Sequence, residues 1–423
     1  MSEHPLDRTV LLLQRDVFGE MTRDVAIEAL MGTRVRLTAD PDTMRSPAGQ
    51  TAVIASFITL AQMGLRVVLD VPDAPVIGRQ PPFDGGSVGE QLEGLATRLV
   101  QPCASGDARP DLVVAIGASP GGQDAVRVTG TDWAAALRRG GQGIPWTGTL
   151  PFGAALAAVS VGAVALRCVV QRLEAELGIA APIVFRHVPL PMEMALPPVL
   201  SGSLDVGDVD VISAGAITNA ALFVLLRVPG IRGLMRVFDA DIAELPNLNR
   251  YPLLDRRQIG AAKARSLERF GHDGMTIASV EERFDATAEQ LPLAPRVLVG
   301  VDHIPSRWKA QAVVTGWLHV AATSHFEVMS TAHEQGGPCA GCAHSRDDED
   351  DGDIPTISFV SLLAGTLQAH ALLSHAAGTP VPSWFSWPLN LGGRSGLERL
   401  DPGPSRECPV GCQASLAMRS IAA

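Results

Sequence analysis

Short apolar runs recur along the chain in an order that alternates strand with helix. Residues 209–212 form a β-branched run that reads as a strand, followed by the small-residue turn Ser213-Ala-Gly-Ala-Ile-Thr218. Residues 219–228 read as a helix, and a second strand over 233–238 ends in Asp239-Ala-Asp241. Strand, turn, helix, strand, acid is the opening unit of a mononucleotide- or dinucleotide-binding fold. The turn is degenerate. Of the three glycines in G-x-G-x-x-G only Gly215 remains, with Ser213 and Thr218 in the outer positions.

The same pattern occurs earlier. Residues 34–39 read as a strand, 40–50 as a polar turn with Gly49, 51–63 as a helix and 65–69 as a strand with the acidic end Asp70-Val-Pro-Asp73. Residues 112–117 parallel 297–302, which places Gly117 where Asp302 stands, and the apolar helix expected over 151–173 parallels one over 361–373. The chain therefore reads as α/β with two Rossmann-like halves, an internal repeat over 1–180 and 208–423. An unrelated Rossmann-like first domain is the alternative. Residues 181–207, with Pro189, Pro191, Pro197, Pro198, Gly202 and Gly207, read as the connection. Smaller elements are a helix over 20–31, a strand over 276–280 and a helix over 281–290.

The uncharged run at 151–166, closed by Arg167, is shorter than the roughly 20 residues a membrane span needs. A core helix is expected there instead. The net charge of −11 argues against nucleic acid or an anionic membrane as the main partner. With only 4% aromatic residues, Ala, Val and Leu must fill the interior, which suits a parallel sheet covered by helices. No basic-then-apolar leader opens the chain, so no secretion signal is expected and the cytoplasm is the expected compartment.

Beyond the second acidic strand end lie Asn247-Leu-Asn249-Arg250, Ile259-Gly260 and Lys263, then Val297-Leu-Val-Gly-Val-Asp302 and Arg307. Singly these residues have bland readings: Lys263 as a solvated helix face, Arg250 as a loop charge, Asp241 as a turn former. Together they suit a site for a charged nucleotide. Asp239 or Asp241 at a strand end can accept from ribose hydroxyls. Arg250 and Lys263 can reach a triphosphate, and Asp302 can hold Mg²⁺. Asn247 and Asn249 would supply neutral hydrogen bonds to phosphate or ribose.

This spaced set resembles the E1-like, ThiF/MoeB-type adenylating enzymes, over roughly residues 209–378. The resemblance implies ATP-dependent adenylation of a carboxylate, with a ubiquitin-like protein or peptide as partner, Arg250, Lys263 and Asp302 as catalytic residues and Gly215 in the nucleotide turn. It also implies a catalytically silent first half completing a pseudo-dimer, with a homodimer as a further expectation. Arg8 and Arg15 lie where the family often carries an arginine that reaches a neighbouring active site, although the residues around them do not match that motif. Other readings are a nucleotide-free scaffold, since Thr218 adds a branched side chain where backbone packs closely, and an NAD(P)-linked oxidoreductase. The second gives no role to Lys263 or the N-L-N-R run.

Four of the six cysteines, Cys339, Cys342, Cys408 and Cys412, form two knuckles, C-x-x-C and C-x-x-x-C. Four thiolates from two tight turns suit structural Zn²⁺, and many relatives of the ThiF/MoeB type carry such a site. A redox or disulfide role is the alternative, and His344 is a substitute ligand. Residues 347–353, Asp-Asp-Glu-Asp-Asp-Gly-Asp, read as a solvated charge run. No cysteine falls between Asp302 and Pro338, where thiol-transferring relatives place one, so the chemistry is expected to stop at the acyl-adenylate or pass directly to another acceptor. Cys168 is expected in the core and Cys103 in a loop.

Overall fold

A computed structural model of the chain describes residues 4–100, 109–186, 190–199, 204–284, 292–345, 354–389 and 397–413. Cys103, the acidic tract at 347–353, Pro189 and Gly202 fall outside them, as does most of the helix expected over 281–290.

The first sheet has the order β2-β1-β3-β4-β5-β6. Its strands are β1 (Arg34–Ala39), β2 (Arg66–Asp70), β3 (Leu112–Ile116), β4 (Val126–Gly130), β5 (Ala134–Arg139) and β6 (Met192–Ala195). The first four run parallel and the last two antiparallel. The second sheet has the order β14-β13-β12-β11-β10-β7-β8-β9. It comprises β7 (Asp205–Ile212), β8 (Arg232–Phe238), β9 (Met275–Val280), β10 (Arg296–Val299), β11 (Trp317–Ser324), β12 (Glu327–His333), β13 (Ser383–Ser386) and β14 (Glu398–Leu400). Here β9, β8, β7, β10 and β11 are parallel and the rest antiparallel.

Two parallel-rich sheets thus repeat one winding. Helix Pro47–Gln62 joins β1 to β2 as helix Ala216–Leu225 joins β7 to β8, and helix Phe152–Leu177 precedes β6 as helix Ser358–Ala376 precedes β13. These four helices pack on one another between the sheets. Close approach there requires small residues. A Cβ on Gly162 would lie 2.7 Å from Cβ of Phe359, and one on Gly365 would lie 2.4 Å from Cβ of Ala220. A continuous apolar core runs through both halves.

Several boundaries differ from expectation. The region expected as a polar turn over 40–50 holds helix Pro41–Met44 and the start of the next helix, because Asp40 and Ser46 each cap a helix whose first residue is proline. Part of the stretch read as a connection is sheet: β6 pairs with β5, and β7 begins at Asp205. Alternation of buried Met192 and Met194 with exposed Glu193 and Ala195 gives that edge strand its inward face. Helix Phe152–Leu177 is 26 residues long, because Arg167 and Arg172 ride on its outer side without ending it. By length and composition it could cross a membrane; 89% of its most apolar window is buried within the protein.

The position equivalent to Asp302 also changes. Ile116 and Val299 end equivalent strands, opposite Ala39 and Ile212. Counting from there, Gly117 matches Gly300, and Ser119 stands where Asp302 does. At this end of the first sheet, Oδ2 of Asp40 accepts from Oγ1 of Thr43 at 2.6 Å and from the Ala118 amide at 2.6 Å. The Trp146 amide, on a fully buried residue, donates to the same threonine oxygen at 3.0 Å. The first-half crevice is filled by its own chain.

Candidate functional site

In an open parallel sheet, ligands bind beyond the carboxyl ends of the strands where the winding reverses. In the second sheet that point lies between β7 and β10, and two adjoining clefts open there. The larger, about 330 Å³, has an apolar wall of Ile212, Phe238 and Phe284 beside Asp239 and Asp302. The smaller, about 130 Å³, is lined by Arg250, Lys263, Asp302, Arg307 and Thr356 among others. Both include Ser213, Asp241 and Asp302.

The turn after β7 is built without the outer glycines. Ser213 takes a left-handed conformation, φ 79°, which glycine adopts at least cost. Its hydroxyl accepts from the Gly215 amide at 3.0 Å, and its carbonyl accepts from Oγ1 of Thr218 at 2.6 Å. Thr218 therefore closes the turn with its hydroxyl. Its Cβ fits because the facing residue is Gly300, where an added Cβ would lie 3.3 Å from Cβ of Ile217 and 3.4 Å from Oγ1 of Thr218. Gly215 is the N-cap of helix Ala216–Leu225, which therefore starts three residues before the expected start.

Asp239 braces this turn. Its Oδ2 accepts from the Ala214 amide at 2.7 Å and its Oδ1 from the Asp241 amide at 2.8 Å. Burial raises its pKa above the ordinary carboxylate value, against the pull of those two donors. Asp241 is exposed and pairs with Lys263, Nζ to Oδ2 2.8 Å. Burial opposes the Lys263 charge, yet the fields of Tyr251 and Asp241 leave its pKa raised.

The two asparagines fall outside the lining of both clefts. Oδ1 of Asn247 accepts from the Glu244 amide at 2.8 Å in a reciprocal cap of the short turn Leu245–Asn249. Asn249, fully buried, donates to Oγ1 of Thr9 at 3.0 Å and accepts from Nη1 of Arg250 at 2.7 Å. In place of the expected contacts to phosphate or ribose, Asn247 makes a local cap and Asn249 a long-range cross-link, because both side chains are buried. Arg250 is also held by the Pro246 carbonyl at 2.9 Å.

Asp302 is exposed three residues beyond β10. Buried Arg307 ties down the backbone around it, donating from Nε to the Val301 carbonyl at 3.0 Å and from Nη2 to the Asp302 carbonyl at 2.9 Å. The clefts also contain residues that sequence reasoning passed over. Tyr251 is the sole tyrosine of the chain and is buried at the smaller cleft, where burial raises its phenol pKa. Its one sequence signal is adjacency to Arg250. His303 lines the larger cleft, with Nδ1 2.8 Å from the Ser306 hydroxyl. Neither Arg8 nor Arg15 is among the lining residues, but the Arg8 carbonyl accepts from the amide of Thr356, which is.

Cys339, Cys342, Cys408 and Cys412 converge, with their sulfurs all within 4.8 Å of one another. The distances are 3.9 Å for Cys339–Cys342, 3.4 Å for Cys339–Cys408, 3.5 Å for Cys342–Cys412 and 4.0 Å for Cys408–Cys412. A tetrahedron with metal–sulfur bonds of about 2.3 Å has edges of about 3.8 Å, so the donor set fits a metal ion. A disulfide needs sulfurs about 2 Å apart. The longer second knuckle closes because Gly411 takes φ 63°. His344 stands outside the cluster, with Nδ1 3.2 Å from Nη1 of Arg307.

No protein-family model matches the chain. An uncharacterized protein, y4jF of Sinorhizobium fredii, is 28% identical over 189 residues, 42% of this chain. That match spans about a third, 35%, of the relative's length. Among solved structures, E. coli MccB crystallised with ATP superposes with a TM-score of 0.41 at 17% identity, covering 48% of this chain and 66% of that one. E. coli MccB with selenomethionine MccA gives 0.41 at 16% identity over the same shares. PaaA gives 0.36 at 13% identity, covering 45% of this chain and 64% of that one.

Proposed function

We propose that the chain uses ATP to adenylate a carboxylate, at the C-terminus of a peptide or a ubiquitin-like protein. The observation that carries this reading is one crevice at the winding reversal that gathers Arg250, Lys263, Asp241 and Asp302 beside an apolar wall. A carboxylate oxygen would attack the α-phosphorus, forming the acyl-phosphate bond as the bond to the β-phosphate oxygen breaks and pyrophosphate leaves. Bringing two anions together is the difficulty, so positioning and charge neutralisation carry the catalysis. Arg250 would clamp phosphate oxygens as a fork and Lys263 would act as a point charge. Asp302 would hold Mg²⁺, which supplies further neutralisation of the phosphates. Gly215 would bring backbone close to the nucleotide, and Asp241, Asn247 and Asn249 would hold Lys263 and Arg250 in place. The four cysteines would hold structural Zn²⁺, with no open coordination position, in a reducing, cytoplasmic setting.

A scaffold without nucleotide is the second reading. It is favoured by the 2.8 Å pairing of Lys263 with Asp241 and by the use of both Asp239 oxygens on backbone amides. Calorimetric titration with Mg-ATP separates the two. Loss of a saturable Mg²⁺-dependent ATP site in Lys263→Ala and Asp302→Ala, followed by peptide-dependent pyrophosphate exchange, supports adenylation. A folded, zinc-loaded protein with no Mg²⁺-dependent ATP site, with or without peptides, supports the scaffold, and binding of NAD⁺ alone would overturn both.

A further inference from the structure

At the opposite end of the first sheet, four arginines surround a cavity of about 410 Å³. Arg34 opens β1 and Arg66 opens β2, and the two are register partners in a parallel pair. Partners in register project to the same face, and like charges so placed repel. Arg109 approaches from the segment before β3. Arg172 reaches in from helix Phe152–Leu177, its Nη1 3.3 Å from the Gly32 carbonyl. Among the described residues none of the four forms an ion pair. The carboxylates in the lining are Glu28 and Asp111, and Oδ2 of Asp111 is occupied by the Arg34 amide at 2.7 Å.

We infer that this cavity is a second anion site that takes a small oligophosphate. A chain of net charge −11 that leaves four guanidiniums together without carboxylate partners maintains a local positive field against its overall sign. Four cations against two carboxylates leave two formal charges to be met from outside. Guanidinium forks match phosphate oxygens pairwise, and the cavity is wider than one phosphate group requires. Met31 is the one large apolar side chain in the lining, and no aromatic ring is present there to stack on a base. The phosphates therefore carry the recognition. The site faces the amino ends of the strands, away from the crevice at their carboxyl ends.

The test is calorimetric titration of tripolyphosphate and of ATP at about 150 mM salt, where exposed charges are screened beyond about 8 Å. It is made in a Lys263→Ala background, which removes the proposed nucleotide site. One saturable site of equal affinity for both ligands is expected. Adding Arg66→Ala and Arg109→Ala should weaken it by about tenfold or more, as loss of charge-assisted bonds does. Arg172→Gln, a separate exposed change, should weaken it alone should the double variant fold poorly. Absence of saturable tripolyphosphate binding, or binding indifferent to these arginines, overturns the inference. ATP binding well above tripolyphosphate overturns the assignment to phosphate alone.

Discussion

The guanidinium of Arg307 lies 3.2 Å from Nδ1 of His344 and donates at 2.9 Å to the carbonyl of Asp302, so one side chain joins the cysteine cluster to the crevice. Trp308 adds a second tie, Nε1 to the His344 carbonyl at 2.6 Å. Removing the metal proposed for the four clustered thiols should release the loop that carries His344 and then the turn that carries Asp302. Chelation is therefore expected to lower both the melting temperature and the affinity for Mg-ATP, with zinc restoring both. An unchanged melting temperature after complete metal removal, verified by elemental analysis, would separate the cluster from the fold.

Asn249 links three parts of the molecule: Thr9 in the first helix, the Thr356 carbonyl and Arg250. Asn249→Ala leaves buried donors and acceptors without partners, at a cost of about 1–3 kcal/mol. It also removes one of the acceptors that hold Arg250, leaving the Pro246 carbonyl. Chemical denaturation should show the stability loss, and titration should show weaker nucleotide binding. Full stability together with unaltered binding would contradict this role.

Asp210 is fully buried in β7 and accepts from Nε and Nη2 of Arg236 at 2.7 Å each, plus the Ala294 amide at 2.7 Å. The pairing raises the Arg236 pKa. Removing one partner of a buried pair strands the other charge, so Asp210→Ala should cost about 3–5 kcal/mol. Arg236 is less buried and can reach water, so Arg236→Ala would strand the aspartate and cost at least as much. Urea midpoints of both variants check the order.

His319 is fully buried in β11, and burial lowers its pKa to about 3; burial likewise lowers that of His333 to about 4. Both fold as neutral bases. Below pH 6.5 the unfolded chain takes up protons that the folded chain refuses, so stability is present at neutral pH and lost as pH falls from 6.5 toward 4. At pH 5 each contributes a loss of about 2 kcal/mol, from 1.36 kcal/mol per unit. Denaturation at pH 7.5 and 5.0 measures these losses together with those of the other buried histidines, His344 and His370, and the difference should shrink when His319 is replaced by a non-ionising residue.

The alternation of apolar runs was enough to read the α/β class and the opening strand-helix-strand unit of each sheet, but it gave no sign of β4, β5 or β11 to β14. Periodicity is a local property, and the helices and strands follow it wherever they are buried on one face. The cysteine pairs were readable too, because two knuckles imply convergence whatever the path between them. Local pattern was weaker at ends and edges. Helix Phe152–Leu177 outruns its uncharged segment by riding its arginines outward, and β6 is too short to stand out among prolines.

Residue types and spacing, through the resemblance to adenylating enzymes that they carry, singled out the side chains expected to meet a charged nucleotide: Arg250, Lys263, Asp241 and Asp302. Tertiary structure decided their division of labour. It turned Asn247 and Asn249 inward, spent Asp239 on backbone amides, and brought Arg307 from Asp302 to His344. It also let Ser213 and Thr218 replace glycines, since Gly300 supplies the clearance from across the sheet. The physical reason is the same in each case. A side chain's chemistry belongs to the residue, whereas its partners are set by which distant segments the two packed halves bring within hydrogen-bond reach.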